Sequence, residues 1–104
     1  MASELIVREE QFEEFVKVSI IGEIDIYTAQ SLKEKLYNIV ETFKKDLRID
    51  CKDLNYLDST GLGVFVGTLK KAKQNDNQIV MFNMKDNIKK LFLITGLDKL
   101  FVIE

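Results

Sequence analysis

The amino-acid sequence predicts an α/β fold: a mixed β-sheet of about four to five strands packed with helices. Two patterns predict it. Apolar residues recur with period two in some segments and at steps of three and four in others, the signatures of half-buried strands and amphipathic helices. These segments also alternate along the chain, and strand–helix–strand order implies a layered sheet with right-handed crossovers. With 104 residues there is room for one domain around one core, so residues 1–104 are read as a single unit.

Leu5-Ile6-Val7 opens as a short strand, followed by Glu9-Glu10 and a turn near Gln11. Residues 15–21 alternate, with Val16, Val18 and Ile20 on one face and Lys17 and Ser19 on the other, and Gly22 is expected to end that strand. The period then changes. Ala29, Leu32, Leu36, Ile39 or Val40, and Phe43 form one helical stripe, with Asp25 as the expected N-cap. Lys33, Glu34, Lys35, Asn38 and Glu41 fall on its solvated side, and Lys44 and Lys45 complement the helix dipole at its far end. Leu47, Ile49 and Cys51 share a face of the next strand, and residues 53–58 follow as a connection pegged by Leu54 and Leu57. A second helix carries Leu62, Phe65 or Val66, Leu69 and Ala72 inward, and Gln74-Asn75-Asp76-Asn77 stops it. Ile79-Val80-Met81-Phe82 reads as a strand buried on both faces. Ile88, Leu91 and Phe92 mark a short helix closed by Gly96, and Phe101-Val102-Ile103 completes the sheet.

Composition narrows the function. Hydrophobic residues make up 46% and charged residues 31%, which places the chain among folded rather than disordered sequences. The net charge of -2 argues against a broad basic surface for nucleic acid. No apolar run approaches the ~20 residues that span a bilayer. Glu4, Arg8, Glu9 and Glu10 interrupt any signal-peptide pattern, and the single Cys51 has no internal disulfide partner, so a cytoplasmic protein is expected. The chain has no histidine, which removes Ser-His-Asp and Cys-His catalysis and the commonest nitrogen ligand of zinc. Cys51, at an inward strand position, is expected to be packing rather than a reactive thiol.

The chemistry concentrates in Asp58-Ser59-Thr60-Gly61-Leu62-Gly63, at a strand-to-helix connection where free N–H groups and the helix dipole favour negative charge. Two glycines in the first turns of a helix cost about 1 kcal/mol each against alanine, so their presence implies close approach by a ligand, a partner or a neighbouring helix. Ser59 by itself reads as an N-cap. A phosphoryl group there would add about -1.5 to -2 charges beside Asp58. Other readings of the segment fit less well. Gly61, Gly63 and Gly67 miss the dinucleotide-binding spacing by one residue. No Gly-Lys-Ser/Thr triplet forms a P-loop, and Glu9-Glu10 is a poor acidic pair for an aspartyl-phosphate receiver built on Asp58.

Taken together and in order, these residues resemble the STAS family, and within it the free-standing bacterial anti-sigma factor antagonists. The resemblance rests on Gly22-Glu23-Ile24-Asp25, on Asp53-Leu54 leading into Leu57-Asp58-Ser59-Thr60-Gly61-Leu62-Gly63, and on Asn83, Ile88, Leu91-Phe92, Thr95-Gly96-Leu97 and Leu100-Phe101. It departs at Phe12-Glu13-Glu14-Phe15, where a glycine for a tighter hairpin is absent. The resemblance implies an unphosphorylated antagonist that binds an anti-sigma factor serine kinase and so frees a sigma factor. Phosphorylation by that kinase switches binding off, and a PPM-type metal-dependent serine phosphatase resets it. Nucleotide and metal then belong to the partners, and the chain itself is neither an enzyme nor a cofactor binder. Ser59 corresponds to the acceptor, with Thr60 as the alternative hydroxyl. Asp25, Asp58, Thr60, Gly61, Gly63 and Gly67 correspond to the partner-binding surface. A STAS subunit of a transporter or lipid-transport complex is the competing reading.

Overall fold

The period-two segments pair as the pattern predicts, and one further strand joins them. The computed structural model describes residues 4–104. Among these residues the chain runs β1 (Leu5–Gln11), β2 (Phe15–Ile24), α1 (Ala29–Phe43), β3 (Asp46–Asp50), β4 (Leu54–Leu57), α2 (Ser59–Gln74), β5 (Ile79–Phe82), α3 (Asp86–Ile94), a 3₁₀ turn (Leu97–Lys99) and β6 (Val102–Ile103). The sheet order is β1-β2-β3-β5-β6, with β4 also paired to β2. Only β1 is antiparallel to its neighbour, so the sheet is mixed.

The ten-residue β2 organises this sheet. One edge pairs along its length with β1; the other pairs first with β3, from Phe15 to Ser19, and then with β4, from Gly22 to Ile24. Val16, Val18, Ile20, Leu47 and Ile49 are wholly buried, whereas Lys17, Ser19, Arg48 and Asp50 on the opposite face are only half-buried. Leu32, Leu36, Ile39 and Val40 of α1 are also buried, as are Phe65 and Leu69 of α2. Phe92 of α3 lies between Phe65 and Phe101, with ring centroids 6.3 and 5.5 Å away, which ties the carboxy-terminal segment to the same core.

Six strands rather than four to five reflect β4, which the sequence reads as a connection. Leu54 and Leu57 are both buried although three residues apart, a spacing that defeats period-two detection. The register explains it: Gly22 faces Leu54 and Glu23 faces Tyr56, so β4 advances two residues where β2 advances one. The bulge restores Leu57 to the inner face.

Gly22 does not end β2; the strand continues to Ile24. Its φ of 114° is a left-handed conformation that glycine tolerates, and a Cβ there would collide with the Glu4 carbonyl oxygen. The hairpin without glycine closes differently. Phe12 N–H donates to the Phe15 carbonyl at 2.9 Å, and the two rings stack with centroids 4.7 Å apart. None of residues 12–15 has a positive φ, so the turn makes no demand for glycine. Gly96 follows the last turn of α3 with φ 74°, one residue beyond the cap position itself, Thr95.

Cys51 is fully buried, and burial, with a smaller contribution from the Asp50 carboxylate, pushes its thiol up to about 12. Native protein at pH 8 is therefore expected to resist iodoacetamide over hours, while protein in denaturant alkylates fully. Rapid native alkylation, followed by intact mass, would contradict this packing.

Candidate partner-binding and phosphorylation site

Two loops meet because two parallel strands end at the same level. Ile24 of β2 pairs with Leu57 of β4, and Asp58 N–H donates to the Ile24 carbonyl at 3.4 Å. The next residue after each strand is an aspartate, Asp25 and Asp58. The amino-terminal ends of α1 and α2 therefore open at the carboxyl edge of the sheet, the position where open α/β sheets present binding loops.

At the start of α2 the N-cap is Asp58, not Ser59. The Asp58 carboxylate accepts from Thr60 N–H at 3.0 Å and Gly61 N–H at 3.2 Å, while its carbonyl accepts from Leu62 N–H at 3.0 Å. Asp58 has the extended backbone a cap requires (φ -114°, ψ -173°), which moves Ser59 to the first helical position. Ser59 is exposed, and its hydroxyl makes no hydrogen bond among the described residues. Thr60 is exposed beside it.

Asp25 makes the expected cap-type hydrogen bonds, but one turn ahead of the start of α1. The residue before α1 is Thr28, with no side-chain cap, and Asp25 instead closes the turn ahead of it. Its Oδ1 accepts from Tyr27 N–H at 2.8 Å and Thr28 N–H at 3.2 Å. The buried Thr28 hydroxyl donates to the Glu23 carbonyl at 2.8 Å and accepts from Asp25 N–H at 3.0 Å. The Asp25 carbonyl also accepts from Ala29 N–H at 2.9 Å, so these are cap-type hydrogen bonds made at the turn that leads into α1. The turn fixes Ile26 and Tyr27 outward, 66% and 80% exposed.

The three glycines of α2 separate by what surrounds them. A Cβ on Gly61 would strike Leu57 Cδ1 and Ile24 Cγ2, and one on Gly67 would strike the Tyr37 hydroxyl. Both therefore have internal reasons to be glycine. Gly63 has none: it is exposed, with nothing within 4 Å of an added Cβ. It lines an open groove of about 340 Å³ between α1 and α2, together with Thr60, Val64, Ile26, Lys33 and Tyr37. The proposed site residues thus fall into one surface (Asp25, Asp58, Ser59, Thr60, Gly63) and two packing positions behind it (Gly61, Gly67).

The alternatives lose their geometry. The Thr60 and Gly61 amides that would cradle a phosphate are occupied by Asp58. Glu9 and Glu10 pair with Val18 and Lys17, toward the far end of β2 from Asp58, so they cannot form a receiver's acidic pair with it.

A STAS domain model matches residues 7–104, from within β1 to the last residue and through both loops. The chain belongs to the STAS family. It is 48% identical over 87 residues to an anti-sigma-B factor antagonist of Bacillus subtilis, covering 84% of this chain and 79% of the relative. To the anti-sigma-B factor antagonist of Staphylococcus aureus it is 41% identical over 88 residues, covering 85% and 82%. Its backbone is also similar to the crystal structure of an anti-sigma factor antagonist from Mycobacterium paratuberculosis, with a TM-score of 0.82 and 27% identity over 96% of this chain and 85% of that one. Among the described residues no helix of this STAS chain is long and apolar enough to cross a membrane.

Ile26, Tyr27 and the Lys33–Tyr37 pair are surface features that motif reading passes over. Ile26 and Tyr27 do carry a signal, as large apolar residues between a turn-forming aspartate and the first residue of the helical stripe. Lys33 carries none, because a lysine on a solvated helix face is ordinary.

Stability should sort the site. Gly63→Ala is expected to stabilise the protein by about 1 kcal/mol through helix propensity alone. Gly61→Ala should lower the melting temperature, because overpacking costs about 1–3 kcal/mol. Asp58→Ala should cost about 1 kcal/mol as a lost cap. Thermal denaturation of the three variants checks this, and a destabilised Gly63→Ala would contradict the open position.

Proposed function

We propose that this chain is an anti-sigma factor antagonist whose unphosphorylated surface binds an anti-sigma factor serine kinase in the cytoplasm, so that the sigma factor is released. Phosphorylation of Ser59 ends the complex, and a PPM-type serine phosphatase restores it. The observation that carries this reading is the exposed Ser59 hydroxyl, unengaged among the described residues, on the first residue of a helix already capped by the adjacent aspartate. The similarity to curated antagonists supports the same assignment.

The chemistry follows from that arrangement. The kinase supplies ATP and its metal, and Ser59 Oγ takes the γ-phosphoryl group, losing its proton as ADP leaves. A serine inside a sheet or under a loop could not enter another protein's active site; this one stands at a helix end where the backbone turns outward. Thr60 is the neighbouring hydroxyl, but it faces the α1–α2 groove. Ser59 is therefore the favoured acceptor.

Phosphorylation acts on the partner rather than on the fold. With Thr60, Gly61 and Leu62 amides bound to Asp58, only the Ser59 N–H remains unbound in the first turn among the described residues. The phosphate cannot take over the cap without displacing a carboxylate. Its charge of about -1.5 to -2 stays on the surface between Asp58 and the Asp25 turn. A partner group that must approach there meets repulsion and an unpaired charge, a penalty of several kcal/mol in a desolvated interface.

Intact-mass spectrometry after incubation with Mg-ATP and the cognate anti-sigma factor should show one added phosphoryl group, mapped to Ser59 and absent from Ser59→Ala. Ser59→Ala should still bind the anti-sigma factor, and Ser59→Asp should bind at least about tenfold more weakly. No modification, or modification confined to Thr60, would overturn the assignment of Ser59.

A further inference from the structure

The groove between α1 and α2 is lined by a lysine, Lys33, that has no ion pair among the described residues. The two ion pairs among the described residues join Arg48 to Glu104 and Lys71 to Glu41. Lys33 has no carboxylate within ion-pair distance among these residues. Its ammonium stands 5.5 Å from the centroid of the Tyr37 ring, on the groove's rim.

That ring is itself held. Lys71 lies 5.0 Å from its centroid on the way to Glu41, and the Tyr37 hydroxyl occupies the space a side chain at position 67 would fill. Gly67 thus admits Tyr37, and Tyr37 offers Lys33 a fixed perch worth about 0.5–1 kcal/mol at an exposed site. The groove base is apolar, with Ala29 and Val64 buried and Gly63 leaving it open. Beside it stand the exposed Ile26 and Tyr27, and its rim includes Thr60, next to the acceptor Ser59.

We propose that this groove receives a carboxylate-bearing segment of the anti-sigma factor, with an acidic side chain paired to Lys33 and an apolar one lying over Gly63 and Val64; this rests on the antagonist reading above. Charge complementarity selects the occupant. A nucleotide phosphate would find one lysine and no amide cradle, because the amides of the α2 amino terminus already serve Asp58. A carboxylate needs only the one ammonium. The arrangement also explains why a phosphate on Ser59 is effective: it places negative charge at the mouth of the groove an acidic group must enter. Lys33 acts as an affinity and specificity residue, and Gly67 and Tyr37 as positioning residues behind it.

Calorimetric titration of the cognate anti-sigma factor, loaded with ADP so that no transfer occurs, into the unphosphorylated chain tests this. Lys33→Glu is expected to weaken binding by at least about tenfold, and Lys33→Arg by less than about threefold. Lys70→Glu, an equal charge change at an exposed α2 position outside the groove lining, should bind as the wild type does. Lys33→Glu binding at wild-type affinity would overturn the groove assignment and leave the antagonist function standing. Equal weakening by Lys70→Glu would reduce the effect to net charge and overturn it as well. A wild-type chain that fails to bind the anti-sigma factor would overturn the proposed function, and the groove assignment with it.

Discussion

The parallel pairing of β2 with β4 is the constraint on which the proposed binding surface depends. β2 is long enough to pair with β3 and then, beyond it, with β4, and the bulge in β4 sets Leu57 opposite Ile24. That register fixes the heights of two helix starts at once. Asp25 and Asp58 follow directly, so the turn that displays Ile26 and Tyr27 and the helix end that displays Ser59 form one surface. Gly22 and Gly61 both serve this junction. The first admits the Glu4 carbonyl against β2, and the second lets α2 lie close over Ile24 and Leu57. A side chain at position 61 would lift α2 off Ile24 and Leu57, and one at position 22 would push the start of β1 away from β2.

Electrostatics then decides what a phosphate does there. An aspartate cap is a negative charge already spent on two backbone amides, so the helix has little further capacity to absorb an anion. The same feature that holds α2 in place leaves added charge at Ser59 to act outward. This separates signalling from stability. A serine that capped its own helix would lose that role on modification, whereas here the cap and the proposed acceptor are adjacent but distinct residues.

Most of the architecture was legible in the sequence, because burial imposes period two or period 3.6 wherever one face is covered. The α1 stripe of Leu32, Leu36, Ile39 and Val40 and the alternation of β2 are direct records of that burial. What escaped pattern reading has specific causes. The bulge put Leu54 and Leu57 at an odd spacing, so β4 looked like a connection. Both helix starts were displaced: Asp25 makes its cap-type hydrogen bonds one turn ahead of α1, and of the adjacent Asp58 and Ser59, two favoured cap residues, it is Asp58 that caps α2. The glycines of α2 look alike in sequence, yet two answer to Leu57, Ile24 and Tyr37 inside the protein and only Gly63 to its surface. The groove was invisible for a related reason: Lys33 and Gly63 lie thirty residues apart and meet only through the packing of α1 on α2.

Whether phosphorylation of Ser59 alters a surface and leaves the fold intact can be read from backbone amide NMR spectra of the phosphorylated and unphosphorylated chain. Shift changes are expected only in the Asp25 turn and the first two turns of α2, with the amides of β3, β5 and α3 unmoved. Changes spread through the sheet, or loss of the Thr60 and Gly61 amide positions that report the Asp58 cap, would mean that the phosphate rearranges the domain, and would contradict an effect confined to the surface.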